Sequence, residues 1–331
     1  MSNSNNHSAE RYPEQLVLRV NELFYDHDSA NHGYADIHKE MLEQERERWQ
    51  TLAKRHIASK EAITLLDIGS GAGFVPVTVA PYLKAEDTII CSDLSEGMLN
   101  TARQTIAEQQ LPPRFQFQKI TGEIPYRLPF QTNSMDVVTM NSVLHHIKET
   151  NQFLSEVDRV LKPGGMLFIA HEPNKHFHQH TFLRRNYRLL RPVGYPKLAL
   201  MEAARRLGIM AMMRKAFYVI RPDRGKVANT LIDRINDTLI AEKLITKPIS
   251  LDEVATITDI RDSEGFFPEQ LLPEYEVRHL ETYNHILLVT MKHFGNRLVR
   301  RYELWLRKKY PTAGATFFLV LGKPQQAVPG T

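Results

Sequence analysis

Between residues 63 and 170, short apolar runs alternate with segments of helical periodicity, and this alternation restricts the fold more than any other feature of the chain. The runs are Ile63–Ile68, Thr88–Cys91, Phe115–Ile120, Asp136–Met140 and Met166–Ala170. Continuous apolar runs of this length are typical of strands buried on both faces, and the first two gaps suit crossover helices. The pattern therefore predicts an α/β fold with a mostly parallel sheet covered by helices on both faces.

The segments around this core predict helices and a second group of strands. Leu16, Val20 and Leu23 repeat at helical spacing, and Ser250 with Glu253 forms a capping box before a further helix. We expect a disordered polar tail at 1–10, an N-terminal helical cap at 11–60, the core at 61–174, a helical lid at 175–270, and the last strands with an inserted basic helix at 271–331.

Cysteine content and hydropathy restrict the class of protein. Cys91 is the one cysteine among 331 residues, which excludes an internal disulfide, cysteine-pair zinc sites and iron–sulfur clusters. The N-terminus lacks the pattern of a secretory signal, and no apolar run reaches the roughly 18 residues of a membrane span. We expect a cytoplasmic protein, with peripheral attachment to a membrane as an alternative.

Basic residues are concentrated in two segments. The formal net charge is +4, yet residues 175–226 hold thirteen Lys or Arg against two acids, and residues 292–309 hold seven against one. Such segments indicate an acidic carrier protein or an anionic membrane surface as a partner, or simply solvated faces of ordinary helices.

A glycine-rich turn follows the first apolar run and contains the residues that most strongly indicate a ligand. It reads Asp67-Ile68-Gly69-Ser70-Gly71-Ala72-Gly73, and the second run ends at Asp93, 22 residues after Gly71. Glycines at a strand-to-helix turn let the backbone approach a ligand closely, and an acid at the end of the next strand suits ribose hydroxyls. Asp67 would repel a pyrophosphate but attract a cation. The turn therefore predicts a nucleoside ligand that carries a positive charge.

Together with Asn141-Ser142-Val143-Leu144-His145-His146 and Leu161-Lys162-Pro163-Gly164-Gly165, these motifs resemble the class I S-adenosylmethionine-dependent methyltransferases, especially their small-molecule branch. The resemblance implies a Rossmann-like, doubly wound sheet and S-adenosylmethionine as cofactor. By position it assigns the methionine part to Asp67, Gly69, Ser70 and Gly71, the ribose to Asp93, the adenine to Leu94, Met98, Glu123 and Ile124, and a further cofactor contact to Asn141.

Histidines after the fourth and fifth runs are the candidates for a general base. Ligands of open α/β sheets bind at the carboxyl ends of strands, and the ordinary pKa of histidine suits proton transfer near neutrality. We select His146 and His171, with the alternative that both only line the pocket. No metal is expected, because His176, His178 and His180 lie in the most basic part of the chain.

The expected reaction is methyl transfer to a small, largely apolar or amphiphilic acceptor, with oxygen preferred as the target atom and anionic or acyl-type molecules included. Transfer to carbon or nitrogen is the alternative. From another class, the chain could be a non-catalytic module that binds a membrane or a carrier protein. Nucleic acid is not expected as a substrate, because Asn141 is not followed by the two prolines and the aromatic residue of base-modifying relatives.

Overall fold

The computed structural model describes residues 11–31, 33–57, 62–194, 222–286 and 297–325. The predicted tail at 1–10 and the middle of the predicted lid, 195–221, lie outside these residues, so the lid remains a prediction. Internal packing divides the chain into two compact units. The core unit comprises Met1–Pro173, Ala255–Glu281 and Phe317–Thr331, and the inserted unit comprises Asn174–Val254 and Thr282–Thr316.

The described elements confirm the α/β expectation. The strands are β1 Thr64–Ile68, β2 Thr88–Asp93, β3 Arg114–Lys119, β4 Met135–Asn141, β5 Leu161–Pro173, β6 Glu276–Tyr283 and β7 Thr316–Gly322. The helices are α1 Glu14–Asn31, α2 Gly33–His56, α3 Phe74–Val79, α4 Glu96–Ala107, α5 Thr150–Val160, α6 Lys175–Gln179, α7 Thr181–Gly194, α8 Pro222–Ala241, α9 Leu251–Thr258 and α10 Arg297–Lys309.

The strands form one seven-stranded sheet in the order β3-β2-β1-β4-β5-β7-β6. The pairs β1 with β2, β1 with β4, β2 with β3 and β4 with β5 are parallel. Because the chain leaves β1 toward β2 on one side and later enters β4 on the other, the strand order reverses at the carboxyl end of β1. In open α/β sheets such a reversal creates the crevice where ligands bind.

Central strands are buried along almost their whole length, as their apolar sequence predicts, whereas β3 alternates between half-buried and exposed residues. Cys91 lies in β2 and is fully buried. Trp49 of α2 is also fully buried; its ring lies 5.8 Å from that of Phe168 and 4.7 Å from that of Phe318. The N-terminal helices are therefore part of the hydrophobic core and not only a cover.

The start of β5 is irregular. The sequence predicts that the segment from Lys162 to Gly165 stops a helix and turns the chain into the strand; α5 does end at Val160. However, β5 already begins at Leu161, and its pairing with β4 shifts from Met135 opposite Leu161 to Val137 opposite Met166. Pro163 has no N–H to donate and Gly164 has a φ of 78°, so the turn is accommodated as an irregularity inside the strand.

The inserted unit has its own buried cluster, formed by Phe177, Leu183, Ile286, Leu306 and Ala313. This cluster joins α7 to α10, and the hydroxyl of Tyr302 donates to Asn186 across the same pair of helices at 3.2 Å. Among the residues that the structure describes, no helix is both long and apolar enough to cross a membrane.

Candidate functional site

The glycine turn after β1 has the geometry that a close ligand requires. Gly69 has a φ of 68°, and a Cβ at this position would lie 2.5 Å from Cγ2 of Val143. Gly71 has a φ of 50°, but no atom lies within 4 Å of where its Cβ would be. A larger residue is thus excluded at Gly69 by packing and strain, whereas the surface beside Gly71 is open for a ligand.

Ser70 fastens the turn to the neighbouring strand. Its backbone N–H donates to the carbonyl of Ser92 at 2.9 Å, and its hydroxyl donates to the carbonyl of Asp67 at 3.1 Å. The same hydroxyl accepts from the N–H of Ser92 at 3.1 Å. These bonds hold the ends of β1 and β2 in one fixed arrangement.

Asp93 ends β2 and faces the glycine turn. Its carboxylate accepts from the N–H of Gly71 at 2.8 Å and from the N–H of Ser95 at 2.9 Å. Burial raises the pKa of Asp93 to about 6, although these backbone hydrogen bonds favour the charged form. The predicted ribose acid and the predicted methionine-binding turn are therefore in direct contact.

Asp67 lies inside the sheet at the end of β1. It is 1% exposed and accepts from the hydroxyl of Thr139 at 2.6 Å. Burial, together with the charge of Asp93, raises the pKa of Asp67 to about 7. Two carboxyl groups of raised pKa at one crevice would both be stabilised in their charged form by a cationic ligand.

Asp26 completes this edge, a position that the sequence motifs do not predict. Its carboxylate accepts from the hydroxyl of Ser95 at 2.5 Å and from the N–H of Gly97 at 3.1 Å. The hydroxyl of Ser95 also accepts from the N–H of Met98 and so caps the N-terminus of α4. A polar residue inside an N-terminal helix was the one available signal.

The predicted adenine contacts divide into two groups. Met98 is buried and Leu94 packs against the main core cluster. A Cβ on Gly122 would lie 3.6 Å from Leu94, so the segment after β3 reaches that residue. Glu123 and Ile124 follow directly and have exposed side chains. Their role at the adenine stays a prediction.

Asn141 ends β4, the neighbour of β1. Its side-chain oxygen accepts from the indole N–H of Trp49 at 3.0 Å. The residue is thus fixed by the N-terminal helices at the same edge of the sheet as Asp67. This position fits the cofactor contact that the resemblance assigns to it, and the contact itself remains untested.

Glu172 organises the turn after β4. Its carboxylate is fully buried and accepts the backbone N–H groups of Val143, Leu144 and His145 at 2.6, 2.8 and 3.1 Å. It also lies 2.9 Å from Nδ1 of His145. Burial lowers the pKa of His145, but the charge and hydrogen bond of Glu172 and the charges of Asp259 and Asp262 together more than offset this, so the pKa is raised overall.

His146 is held in one tautomer. Its Nδ1 lies 2.5 Å from the carbonyl oxygen of Thr258, which can only accept, so Nδ1 carries the proton. Its Nε2 lies 3.2 Å from the hydroxyl of Tyr25. Burial, together with the charge of His145, holds the pKa of His146 well below its usual range. A neutral ring with an unprotonated Nε2 is the form in which histidine acts as a base.

His171, the other predicted base, follows Ala170 in β5 with a φ of 56°. Its Nδ1 lies 3.2 Å from a carboxylate oxygen of the buried Glu45, and its carbonyl lies 3.5 Å from the hydroxyl of Ser142. The structure thus places both predicted histidines at the carboxyl ends of adjacent strands. Their catalytic roles remain predictions.

One group of potential metal ligands occurs in the described residues: His145, His146 and Asp259 each place one donor atom within 4.8 Å of the others. However, Nδ1 of His146 donates to the carbonyl of Thr258, and Nδ1 of His145 binds Glu172. The hydrogen-bonding pattern therefore accounts for the positions of both rings without an ion.

A glycine turn at the strand-order reversal, an acid ending the next strand and the seven-stranded sheet form the doubly wound, Rossmann-like arrangement that the sequence predicts. Residues 66–169 match the family model described as a methyltransferase domain. The open space beside Gly71 and the carboxylates of Asp67 and Asp93 fit a ligand that carries a ribose and a positive charge.

Curated relatives are similar over this domain. A demethylmenaquinone methyltransferase of Lactiplantibacillus plantarum is 35% identical over 36% of this chain and 48% of its own length. A protein of the same name from Symbiobacterium thermophilum is 31% identical over 50% and 63%. A ubiquinone/menaquinone biosynthesis C-methyltransferase UbiE of a Marinomonas species is 28% identical over 43% and 58%. The chain thus spans about half the length of the curated relatives that it matches.

Proposed function

We propose that this protein transfers a methyl group from S-adenosylmethionine to a ring carbon of a small hydroxylated aromatic acceptor, such as a quinol. The names of the matched relatives support a quinone-type acceptor, and one of them names carbon as the methylated atom. They give no support to the expectation of an oxygen target, and the carbon alternative fits them better.

The cofactor supplies a methyl carbon bound to a positively charged sulfur, which is a good leaving group. The residues of the chain would position it: Gly69, Ser70 and Gly71 through the backbone of the turn, Asp93 at the ribose, and Asp67 through its charge. Much of the rate can come from this placement alone, since effective molarities reach about 10⁵–10⁸ M for well-oriented groups.

Carbon methylation adds a requirement that a carboxylate acceptor would not have. A neutral phenol ring is a weak nucleophile, so its hydroxyl proton must leave before or during transfer. The C–C bond forms as the C–S bond breaks, the electron pair goes to sulfur, and the ring proton at the methylated carbon leaves afterwards. A base at the site is therefore needed.

His146 is the residue that fits this requirement, and its fixed tautomer is the observation that carries the proposal. Thr258 accepts the proton of Nδ1, so the lone pair of Nε2 lies on the side of Tyr25. Nε2 can take the acceptor's proton directly or through the hydroxyl of Tyr25. Because its pKa lies well below the usual range, the ring is neutral near pH 7, and Nε2 is unprotonated when the acceptor binds.

The test is product identification with labelled S-adenosylmethionine and demethylmenaquinol, by mass spectrometry and NMR. We expect a ring C-methyl product. His146→Ala should lower kcat by about 100-fold or more with little change in the cofactor Kd, because a general base typically contributes about 10²–10⁴. Tyr25→Phe should lower kcat less.

His176→Ala, a histidine of the inserted unit, is the matched control and should keep the parent kcat. An O-methyl product would overturn the choice of carbon. An unchanged kcat in His146→Ala would overturn the role of this histidine, and failure to bind S-adenosylmethionine would favour the non-catalytic alternative.

A further inference from the structure

We infer that helices α7 and α10 of the inserted unit form a docking surface for an anionic lipid bilayer. The inference depends on these two helices alone and not on the proposed reaction. Neither helix lies within residues 66–169, the segment that matches the methyltransferase family.

The two helices are packed firmly enough to present a defined surface. Leu183 and Leu306 are both fully buried in the cluster that joins them. At one end Phe182 lies against Tyr310, with ring centroids 5.8 Å apart, and farther along Tyr302 donates to Asn186. Side chains on the opposite sides of these helices are therefore held outward.

Large apolar side chains are exposed on both helices. Phe182 is 42% exposed and Leu189 is 66% exposed on α7, while Leu304 and Trp305 are 54% and 46% exposed on α10. Four such residues lie on two adjoining helices, whereas exposed apolar side chains are usually scattered singly. Exposed apolar patches of this kind mark interaction sites.

Cations surround these apolar side chains. On α10, Arg301 and Lys308 lie at helical spacing from Leu304 and Trp305 and share their face. The ammonium of Lys309 lies 4.7 Å from the Trp305 ring centroid. Further exposed cations are Arg184, Arg185, Arg188 and Arg300.

Acids are almost absent from the same helices. Over residues 181–189 and 300–309, whose side chains are described, Glu303 is the one acid, and it is buried against His285. The exposed charge of this surface is therefore all positive. A partner that fits it must be negative and must also accept apolar side chains.

A bilayer with anionic headgroups meets both conditions. Trp, Leu and Phe insert at the boundary between headgroups and acyl chains, while Lys and Arg bind the headgroups beside them. An acidic carrier protein would satisfy the cations but would need an apolar recess for each of the exposed side chains. Because no described helix can span a membrane, attachment would be peripheral.

The experiment is flotation of the full chain with phosphatidylcholine vesicles, with and without phosphatidylglycerol. We expect at least about tenfold stronger partitioning onto vesicles that contain phosphatidylglycerol, weakened by salt, since each basic residue near the surface adds to the attraction. Leu304→Glu and Trp305→Glu should each lower partitioning by about tenfold or more.

Ile240→Glu is the matched control, because Ile240 is 41% exposed on α8 of the same unit. It should bind like the parent. Brominated acyl chains should quench the fluorescence of Trp305, while Trp49, which is fully buried, provides the unquenched background.

Three results would overturn the inference. The first is equal partitioning onto both kinds of vesicle. The second is unchanged partitioning of Leu304→Glu and Trp305→Glu. The third is binding to an acidic acyl carrier protein that depends on Trp305 while vesicles are not bound, which would assign the surface to a carrier. Cofactor binding and methyl transfer are measured separately, so failure here leaves the proposed function standing.

Discussion

Each unit of the molecule contains a buried glutamate that binds a histidine. In the core unit, Glu172 accepts three backbone N–H groups and binds Nδ1 of His145. In the inserted unit, Glu303 accepts the N–H groups of His285 and Ile286 at 3.1 and 3.0 Å and binds Nδ1 of His285 at 3.1 Å. In both, the carboxylate fixes the backbone that carries the histidine.

The second ring nitrogen separates the two pairs. Nε2 of His285 lies 2.9 Å from the carbonyl of Tyr310, and the ring is fully buried. Nε2 of His145 instead lies 3.9 Å from the half-exposed carboxylate of Asp259, and its ring touches that of His146, with centroids 4.0 Å apart. The same pairing therefore encloses His285 completely and leaves His145 beside the histidine that we propose as the base.

The largest effect should follow from Glu172→Gln. This change removes the negative charge of a carboxylate that takes part in four hydrogen bonds. We therefore expect the free energy of unfolding to fall by about 3–5 kcal/mol. Because the turn that carries His146 would loosen, kcat per folded molecule should also fall by about tenfold, with an altered pH profile. Urea unfolding and single-turnover kinetics measure the two effects.

An unchanged kcat in Glu172→Gln would show that the pair of Glu172 and His145 has a purely structural role, like the pair of Glu303 and His285. Glu156→Gln is a suitable control, since the carboxylate of Glu156 binds Arg159 at 2.8 Å and accepts from the N–H of Leu128 at 2.9 Å rather than from the turn after β4.

Glu303→Gln should have a smaller effect, confined to stability. Burial raises the pKa of Glu303, but the hydrogen bond and charge of His285 more than offset this and lower it overall. We expect a loss of about 2–3 kcal/mol in the free energy of unfolding, because a buried partner is left without its charge. The cofactor Kd at a temperature where the variant is folded should match that of the parent. A weakened Kd would contradict the separation of the two pairs.

The smallest predicted effect is a difference in pH dependence. Burial raises the pKa of Asp67 to about 7 and that of Asp93 to about 6, so the folded state binds more protons than the unfolded chain. Their contribution to stability increases as pH falls from about 7 to 4. Glu303, whose pKa is lowered, contributes stability above the ordinary glutamate pKa and loses it as pH falls through the lowered value.

The pH dependence of cofactor binding measures the effect of Asp67 and Asp93. A cationic ligand favours the ionised carboxylates, so the affinity for S-adenosylmethionine should increase about fivefold between pH 6 and pH 8. S-adenosylhomocysteine, which lacks the sulfonium charge, should show a smaller change, and Asp67→Asn should flatten the dependence. Calorimetric titrations that show equal slopes for both nucleosides would rule out a charge interaction at Asp67.

Local pattern predicted most of the core because its signals lie within single elements. The first five strands follow from the runs between residues 63 and 170, and the contact between Gly71 and Asp93 follows from a turn and a strand end that adjoin in any such sheet. A serine just before an apolar helical repeat likewise predicts the cap that Ser95 forms on α4, since capping depends on residues within one turn.

Contacts between distant parts of the chain were not predictable in this way. Tyr25 reaches His146 across 121 positions, and Thr258 reaches it across 112. Asp26 bonds α4 from a helix that the sequence identified only as amphipathic. The periodicity of a helix does not indicate which crevice that helix packs over. The tautomer of His146 depends on such packing, because Thr258 and Tyr25 contact its ring, so only the three-dimensional structure shows it.

The burial of Cys91 has a practical consequence. Its thiol lies within β2, and burial raises its pKa, so the reactive thiolate is strongly disfavoured in the native fold. Alkylating reagents and mild oxidants therefore find no accessible sulfhydryl at this position. A cysteine introduced at an exposed site would react selectively and could carry a single fluorescent or spin label.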